Sequence, residues 1–432
     1  MKKGSFAALS PLLALLLALP LGGCMRVSLA PDGDPAPARP EPAPDVVTLE
    51  FLHTYSDIET KVFLDEVLPL FHRQYPHIRI DAVRKDHTDQ LKDTVLAAVA
   101  DNKAPDVMRM DIVWVPEFAK RRALTDVSAL PGFADIRDQF IGSLIQTNTF
   151  QGKVYGLPVN ANTRAAIFNK TLLREAGLDA PPATFDELVE AARRLKATRP
   201  DAYGIGICCS NGWGSLPYFW TLGGTLTDDS YTRATGYLNG EGSLAALAKL
   251  KAWLDEGLVS PSITGGMPGT WDGILKGQLL MIDDAHWFYT VNETGPNREL
   301  LSNVVSVPFP DDVRVGTSVL GGENLVLFEG SEHKQEAWTF MRWMTTEEPQ
   351  RLMAETGLIP TIKHLQAMNQ NPLFTPYLEQ LSNARPRPPV PAWTDIEDVF
   401  ARMLERIMTG EQPVAEAADE AAAAIDRLLA EP

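Results

Sequence analysis

The chain has 432 residues, 45% of them hydrophobic, and a formal net charge of −17. That length supports two domains with a large core, and so acidic a balance argues against nucleic acid or an anionic membrane surface as the main partner. After Cys24 only the adjacent Cys208 and Cys209 remain. There is no spaced cysteine set for zinc or a disulfide framework, and no metal or cofactor is expected.

Lys2 and Lys3 precede an apolar run from Phe6 to Leu21, and Leu21-Gly22-Gly23-Cys24 follows. A positive start, an apolar middle and small residues at the cut describe an export signal, and the run is too short for a comfortable membrane span. The small-small-Cys ending resembles a bacterial lipobox, in which the cysteine is lipidated and becomes the first mature residue. The alternative is an ordinary secretory signal with Cys24 incidental. Residues 1–23 are expected to be the signal, and 24–45 the lipidated cysteine and a tether. From Pro31 to Asp45 the chain reads PDGDPAPARPEPAPD, too proline-rich and too poor in large apolar side chains to build a core.

Folded structure is expected from Val46. Strand patterns at Val47–Leu52, His77–Val83 and Val107–Met110 alternate with helical apolar spacing in Lys61–Phe71 and Gln90–Ala100. This βαβαβ rhythm implies a parallel sheet flanked by helices. Ligands bind beyond the C-terminal ends of such strands, here at Thr54–Asp57 and Asp111–Trp114. Arg164–Asn169 is strand-like, and Thr184-Phe185-Asp186-Glu187 opens a helix with a capping-box pattern. Ser243–Asp255 reads as a helix with a leucine stripe for the core. Leu279–Ile282 is a buried strand ending at Asp283-Asp284-Ala285-His286-Trp287, and Asn324–Phe328 another strand. Ser331 is expected to cap a helix carrying Ala337, Phe340, Met341 and Met344 on one face. The C-terminal region reads as mainly helical.

Adjacent cysteines lie about 3.8 Å apart at Cα, below the usual ~4.4–6.8 Å of a disulfide. Two unpaired thiols in a half-buried strand is the favoured reading for Cys208 and Cys209, with a vicinal disulfide left open.

Enzyme signatures are mostly absent: no phosphate loop, no HExxH helix and no GxSxG elbow, since Leu320 stands where the last glycine after Gly316-Thr317-Ser318 belongs. Instead, aromatics occupy turn-rich segments: Trp213 in Asn211-Gly212-Trp213-Gly214, then Tyr218 and Trp220, Trp271 in Gly269-Thr270-Trp271-Asp272, Trp287, and Trp393 after a proline-rich turn. Such rings offer flat platforms to the apolar C–H faces of sugars, whose hydroxyls bond nearby carboxylates and amides.

Gly152-Lys153-Val154-Tyr155-Gly156-Leu157-Pro158, Asn162-Thr163, Phe168-Asn169-Lys170, Glu175-Ala176-Gly177-Leu178 and Pro181-Pro182-Ala183-Thr184-Phe185-Asp186-Glu187-Leu188 resemble a run of segments in the family-1 extracellular solute-binding proteins. These are the maltose-binding-protein-like, sugar-binding lipoproteins of ABC importers. Ala104-Pro105-Asp106-Val107, Gly321-Gly322-Glu323-Asn324 and the Ala337–Gln350 segment are also similar. The resemblance implies two α/β lobes, each a mainly parallel sheet flanked by helices, joined by a hinge with the ligand between them. Lobe 1 would comprise 46–158 plus 316–345, and lobe 2 159–310 plus 346–432. The crossings would lie near Pro158–Asn160, Phe309–Gly316 and Thr345–Gln350.

Carried onto this chain, the resemblance implies ligand contacts from His53, Tyr55 and Asp57 after the first strand, Asp111 and Trp114 after the third, and Asn160 and Asn162 at the hinge edge. Trp213, Tyr218 and Trp220 would contribute from the second lobe and Trp287 would stack. Gly322 would let backbone approach the sugar in a Gly-Gly turn, with Glu323 beside it, and Trp393 would cap the cleft. Glu323 departs from the smaller or amide residue of the pattern. The implied protein is no enzyme but an exported, membrane-anchored monomer that passes a sugar to permease subunits. An exported glycoside hydrolase with paired carboxylates such as Asp111 and Glu323, or a ligand-sensing receptor, is the alternative.

Overall fold

The computed structural model describes residues 46–311, 316–368 and 371–431. Cys24 and the tether lie outside the described residues. Two sheets organise the fold. The first contains β1 (Val47–His53), β2 (Ile78–Arg84) and β3 (Val107–Asp111). A small hairpin of β4 (Thr149–Phe150) and β5 (Lys153–Val154) precedes β6 (Leu157–Thr163). The second sheet is built from β7 (Ala165–Asn169), β8 (Tyr203–Gly206), β9 (Leu279–Asp284) and β10 (Val304–Val307). β11 (Ser318–Leu327) then returns to the first sheet, and β12 (Ala384–Pro386) joins its edge.

The first sheet runs β12-β11-β3-β1-β2, with β6 on the other side of β11. Its β1–β2 and β1–β3 pairs are parallel, as the βαβ rhythm requires, whereas β11 is antiparallel to both β3 and β6. The second sheet, in the order β10-β7-β9-β8, departs from a mainly parallel expectation. Only β8–β9 is parallel, and β7 is antiparallel to β9 and β10.

Each lobe has its own core. Phe51, Phe63, Phe71, Val107, Leu327, Phe340 and Met344 pack together around the first sheet. Phe168, Leu188, Leu195, Ile205, Leu250, Phe400 and Ile425 do so around the second. Core membership changes lobe within β6, where Val159 packs in the first core and Ala161 with Ile167 and Ile282 of the second sheet. It changes again within β11, between Leu320 and Leu325, rather than at Phe309–Gly316. Leu352, Met353, Leu358 and Leu365 still belong to the first core, and Phe374 and Tyr377 to the second lobe. Ile359, bridged to Ala161, packs with the second lobe before Ile362 and Leu365 return to the first core, so the third crossing runs C-terminal to Thr345–Gln350, between Leu358 and Phe374. Gln350 ties this segment to β6, donating to Val159 O at 2.6 Å and accepting from the Thr361 N–H at 3.0 Å.

Local helix and turn signals hold with small shifts. Thr184 caps the Phe185–Thr198 helix by accepting from the Glu187 N–H. Ser331 is not the cap of the Lys334–Met344 helix. His333 holds that position, and the Ser331 hydroxyl accepts from His333 N–H and donates to Asp106. The supposed turn segments around Trp213, Trp271, Trp287 and Trp393 are first turns of the helices Gly212–Thr221, Thr270–Leu275, Trp287–Glu293 and Trp393–Thr409. Cys208 and Cys209 are free thiols, as favoured, but lie in the loop after β8 and not in a strand. No helix among the described residues is long and apolar enough to cross a membrane.

Candidate functional site

Because β1, β2 and β3 are parallel, their C-terminal ends open on one edge of the first sheet. The loops there bring Thr54 and Tyr55, Arg84–Thr88, and Asp111–Trp114 into one wall of a cleft of about 620 Å³. β8 and β9 are parallel too, so Asn211–Trp213 and His286–Trp287 follow from one edge of the second sheet and form the facing wall. The floor is where β3, β11 and β6 meet. Asp111 pairs with Glu323 and Glu323 with Asn160 in the strand register, which puts three polar side chains in one row.

Arg109, two residues before Asp111 and so on the same face, binds that row together. Its guanidinium donates to Glu323 Oε2 at 2.7 Å, Asn160 Oδ1 at 3.1 Å and Thr54 Oγ1 at 2.9 Å, and it lies 4.4 Å from the centre of the Tyr55 ring. Asn160 Nδ2 donates to the same Glu323 oxygen at 2.5 Å. Burial pushes the Glu323 carboxyl up despite the Arg109 charge. At Asp111 burial acts in the same direction but is outweighed. The His87 hydrogen bond at 3.1 Å, with Arg387 at 3.6 Å, holds it down at about 2. His87 stacks on Trp114 with ring centres 5.1 Å apart.

Across the cleft Trp213 and Trp287 stack, centroids 5.9 Å apart and tilted by 27°. Arg387 lies 5.3 Å and Arg164 5.5 Å from the Trp213 ring. Arg164, between β6 and β7, is buried and donates to Asp283 Oδ2 at 2.5 Å and Asp283 O at 2.7 Å. Gly321 must be glycine here, because a Cβ would lie 2.1 Å from Asn162 Oδ1 and 2.7 Å from Trp213. Asn162 Oδ1 and Arg387 Nε are buried without a partner. Among the described residues no group of His, Cys, Asp and Glu is placed to hold a metal.

Of the residues expected from sequence, Tyr55, Asp111, Trp114, Asn162, Trp213, Trp287, Gly322 and Glu323 line the cleft together. The others sit elsewhere. His53 is fully buried behind Tyr55, and Asp57 is on the surface paired with Arg84. Asn160 is buried as a support for Glu323 and Arg109. Tyr218 is a core residue donating to Asp283 Oδ1 at 2.9 Å, and Trp220, at the other end of the same helix from Trp213, packs in the second core. Trp393 is 1% exposed, and a Cβ on Gly212 would lie 3.2 Å from its ring, so it props Trp213's helix from beneath instead of capping the cleft. Gly321 and Gly322 are within β11, not in a turn.

Sequence reading missed His87, Arg109, Arg387, Glu59 and His286. His87 had a signal, since it follows β2 as Tyr55 follows β1. Glu59 had one as well: Ser56-x-x-Glu59 is a capping box, and both of its hydrogen bonds form. Arg109 and Arg387 carried none, because their partners come from distant strands.

Two α/β lobes enclosing a polar, aromatic-walled cleft at a three-segment hinge define a two-lobed solute-binding protein. The model of the bacterial extracellular solute-binding protein family matches residues 70–376. The chain belongs to that family. A Brucella abortus protein named only as a binding protein is 25% identical over 381 residues, covering 86% of this chain and 90% of that one. The diacetylchitobiose binding protein of Streptomyces coelicolor is 23% identical over 347 residues, 79% of this chain and 81% of that one. The crystal structure of an ABC transporter solute-binding protein from Thermotoga lettingae, bound with alpha-D-tagatose, is similar with a TM-score of 0.75 and 25% identity. That match covers 89% of this chain and all of the other.

Proposed function

We propose that this protein is the sugar-binding component of an ABC importer, holding a sugar or oligosaccharide between its lobes and delivering it to a membrane permease. The observation that carries the reading is the opposition of the Trp213–Trp287 stack to the Asp111–Glu323 floor within one cleft. Aromatic faces suit the C–H faces of a pyranose, and carboxylate and amide oxygens accept its hydroxyls. The diacetylchitobiose and tagatose ligands of the two relatives support the same class. Binding needs no bond-making step, and the protein acts as a carrier rather than an enzyme. A thermal-shift panel of mono- and oligosaccharides tests this, because a ligand at one hundred times Kd stabilises by ~2.7 kcal/mol. Trp287→Ala should abolish the shift. A melt unmoved by every sugar but raised by polyamines overturns the sugar assignment.

One observation favours the hydrolase alternative. Asp111 and Glu323 are register partners whose carboxyls are driven in opposite directions, down and up, as in an acid–base pair. Both are already engaged, however, Asp111 by His87 and Glu323 by Arg109 and Asn160. Oligosaccharide cleavage that Asp111→Asn abolishes while binding survives would establish the enzyme.

The N-terminal reading complements the cleft: residues 1–23 direct export, and lipidated Cys24 and the proline-rich segment keep a monomeric two-lobed protein beside its permease on the outer face of the membrane. Replacing Cys24 with Ser should leave ligand binding intact and release the protein from membranes. Retention after signal cleavage would rule the anchor out.

A further inference from the structure

Solute binding leaves one feature next to the cleft unused. Cys208 and Cys209 are both half-buried, with their Sγ atoms 2.7 Å apart. Cys208 Sγ lies 3.6 Å from Nη2 of Arg164. Cys209 Sγ donates to Asn211 Oδ1 at 3.1 Å, and that same oxygen accepts the Gly214 N–H at 3.0 Å and so caps the Gly212–Thr221 helix. A Cβ on Gly214 would lie 2.5 Å from Cys209 Sγ and 2.7 Å from Cys208 Sγ. The first turn of this helix therefore rests on the two sulfurs, and that turn carries Trp213.

We propose that Cys208 and Cys209 form a thiol–disulfide exchange site, whose closure to a vicinal disulfide displaces the first turn of the Gly212–Thr221 helix and the Trp213 wall of the cleft. The co-reactant is a disulfide of the exported compartment. The Cys208 thiolate attacks one of its sulfurs, that S–S bond breaks, and one thiolate leaves. The Cys209 thiolate then attacks the Cys208 sulfur of the mixed disulfide, forming the Cys208–Cys209 bond and expelling the second thiolate. Two protein thiols are oxidised, one disulfide is reduced to two thiols, and the two protons pass from the cysteines to the leaving groups. Cys208 is the first nucleophile. The single Cys209 S–H, when it turns from Asn211 to the Cys208 sulfur, and then the Arg164 charge, hold the Cys208 thiol below the ordinary range, whereas Cys209 is pushed up.

Displacement follows from covalent geometry. Adjacent Cα atoms about 3.8 Å apart are closer than the ~4.4 Å lower bound of ordinary disulfides, so the loop must rearrange to close the bond. Closure also removes the S–H that Cys209 gives to Asn211, the residue that caps the helix. With Gly214 already against both sulfurs, no slack remains to absorb the change locally.

The test uses the mature protein and oxidised glutathione. Peptide mapping should find a loss of two hydrogens in the peptide holding both cysteines, with neither one alkylated. Tryptophan emission should shift in step, return on addition of dithiothreitol, and lose most of that shift in Trp213→Phe. Both thiols remaining alkylatable in the native protein, or a glutathione adduct on Cys208 that never resolves, overturns the exchange site. Closure with unchanged emission overturns the coupling to Trp213.

Discussion

His53 sits fully buried at the end of β1, its Nδ1 facing the Tyr55 N–H at 3.4 Å and its Nε2 unpaired. Burial first, and the Arg109 and Arg84 charges after it, lower its pKa to about 4 from 6.5, with Glu59 opposing. The folded state therefore resists a proton that the unfolded chain accepts, and stability falls as pH drops from 6.5 toward 4, by up to ~1.4 kcal/mol per pH unit. Asp111 acts in the same direction lower down. Held at about 2, it contributes stability that is present above pH ~4 and lost as pH falls toward 2. His53→Asn, which keeps an acceptor for Tyr55, should flatten the fall in melting temperature between pH 6.5 and 4.5. An unchanged slope would mean that another group carries it. Glu323→Ala tests the floor. It leaves Arg109 buried without its carboxylate, at a cost of about 3–5 kcal/mol in urea unfolding, whereas Glu323→Gln keeps a hydrogen-bond acceptor and should lose less.

Among the elements, β11 and the Gly212–Thr221 helix hold the site in place. Gly322 has φ +138°, and a Cβ there would lie 2.4 Å from Asn160 O. Gly322→Ala should cost about 1–3 kcal/mol in backbone strain and part β6 from β11, read as a lower melting temperature and weaker ligand binding. A variant as stable as wild type would show that the strand pair tolerates the methyl. The Asn211 cap is a milder lever: Asn211→Ala removes the acceptor for Gly214 N–H and should destabilise by ~1 kcal/mol. Asn211-Gly212-Trp213-Gly214 also shows where element reading slipped. Two glycines suggested a turn, yet an N-cap Asn before the apolar Leu216–Trp220 run is a helix start. By contrast Thr184 and Glu187 stood in a clear capping pattern, and their helix was legible from sequence. At Ser331 the hydroxyl was drawn off by Asp106, 225 positions away in sequence, which no local pattern could announce.

Across the whole molecule, polar contacts among the described residues join the lobes around the cleft. Lys92 Nζ of the Asp89–Ala100 helix donates to Thr394 Oγ1 at 2.9 Å, Glu59 meets His286 Nε2 at 3.3 Å, and Asp111 faces Arg387. Lobe closure is a hinge motion, and pairs that bridge the two walls would have to part for the cleft to open. Arg387→Ala combined with Lys92→Ala should raise the radius of gyration by small-angle scattering, while each lobe keeps its secondary structure. An unaltered radius would show that closure rests on the hinge strands alone. The sequence by itself determined the alternation of strands and helices, the family segments, and the candidates that follow β1 and β3. All are written in periodicity and in short runs of neighbouring residues. Tertiary structure alone decided that His53, Tyr218, Trp220 and Trp393 are supports, that Arg109, His87 and Arg387 face the cleft, and that Leu352, Met353 and Leu358 pack in the first core. The physical reason is that a buried charge or ring takes its role from its partner. Here the partners, Arg109 with Glu323 and Arg387 with Asp111, are brought together by strand register and lobe packing across more than 200 residues of chain.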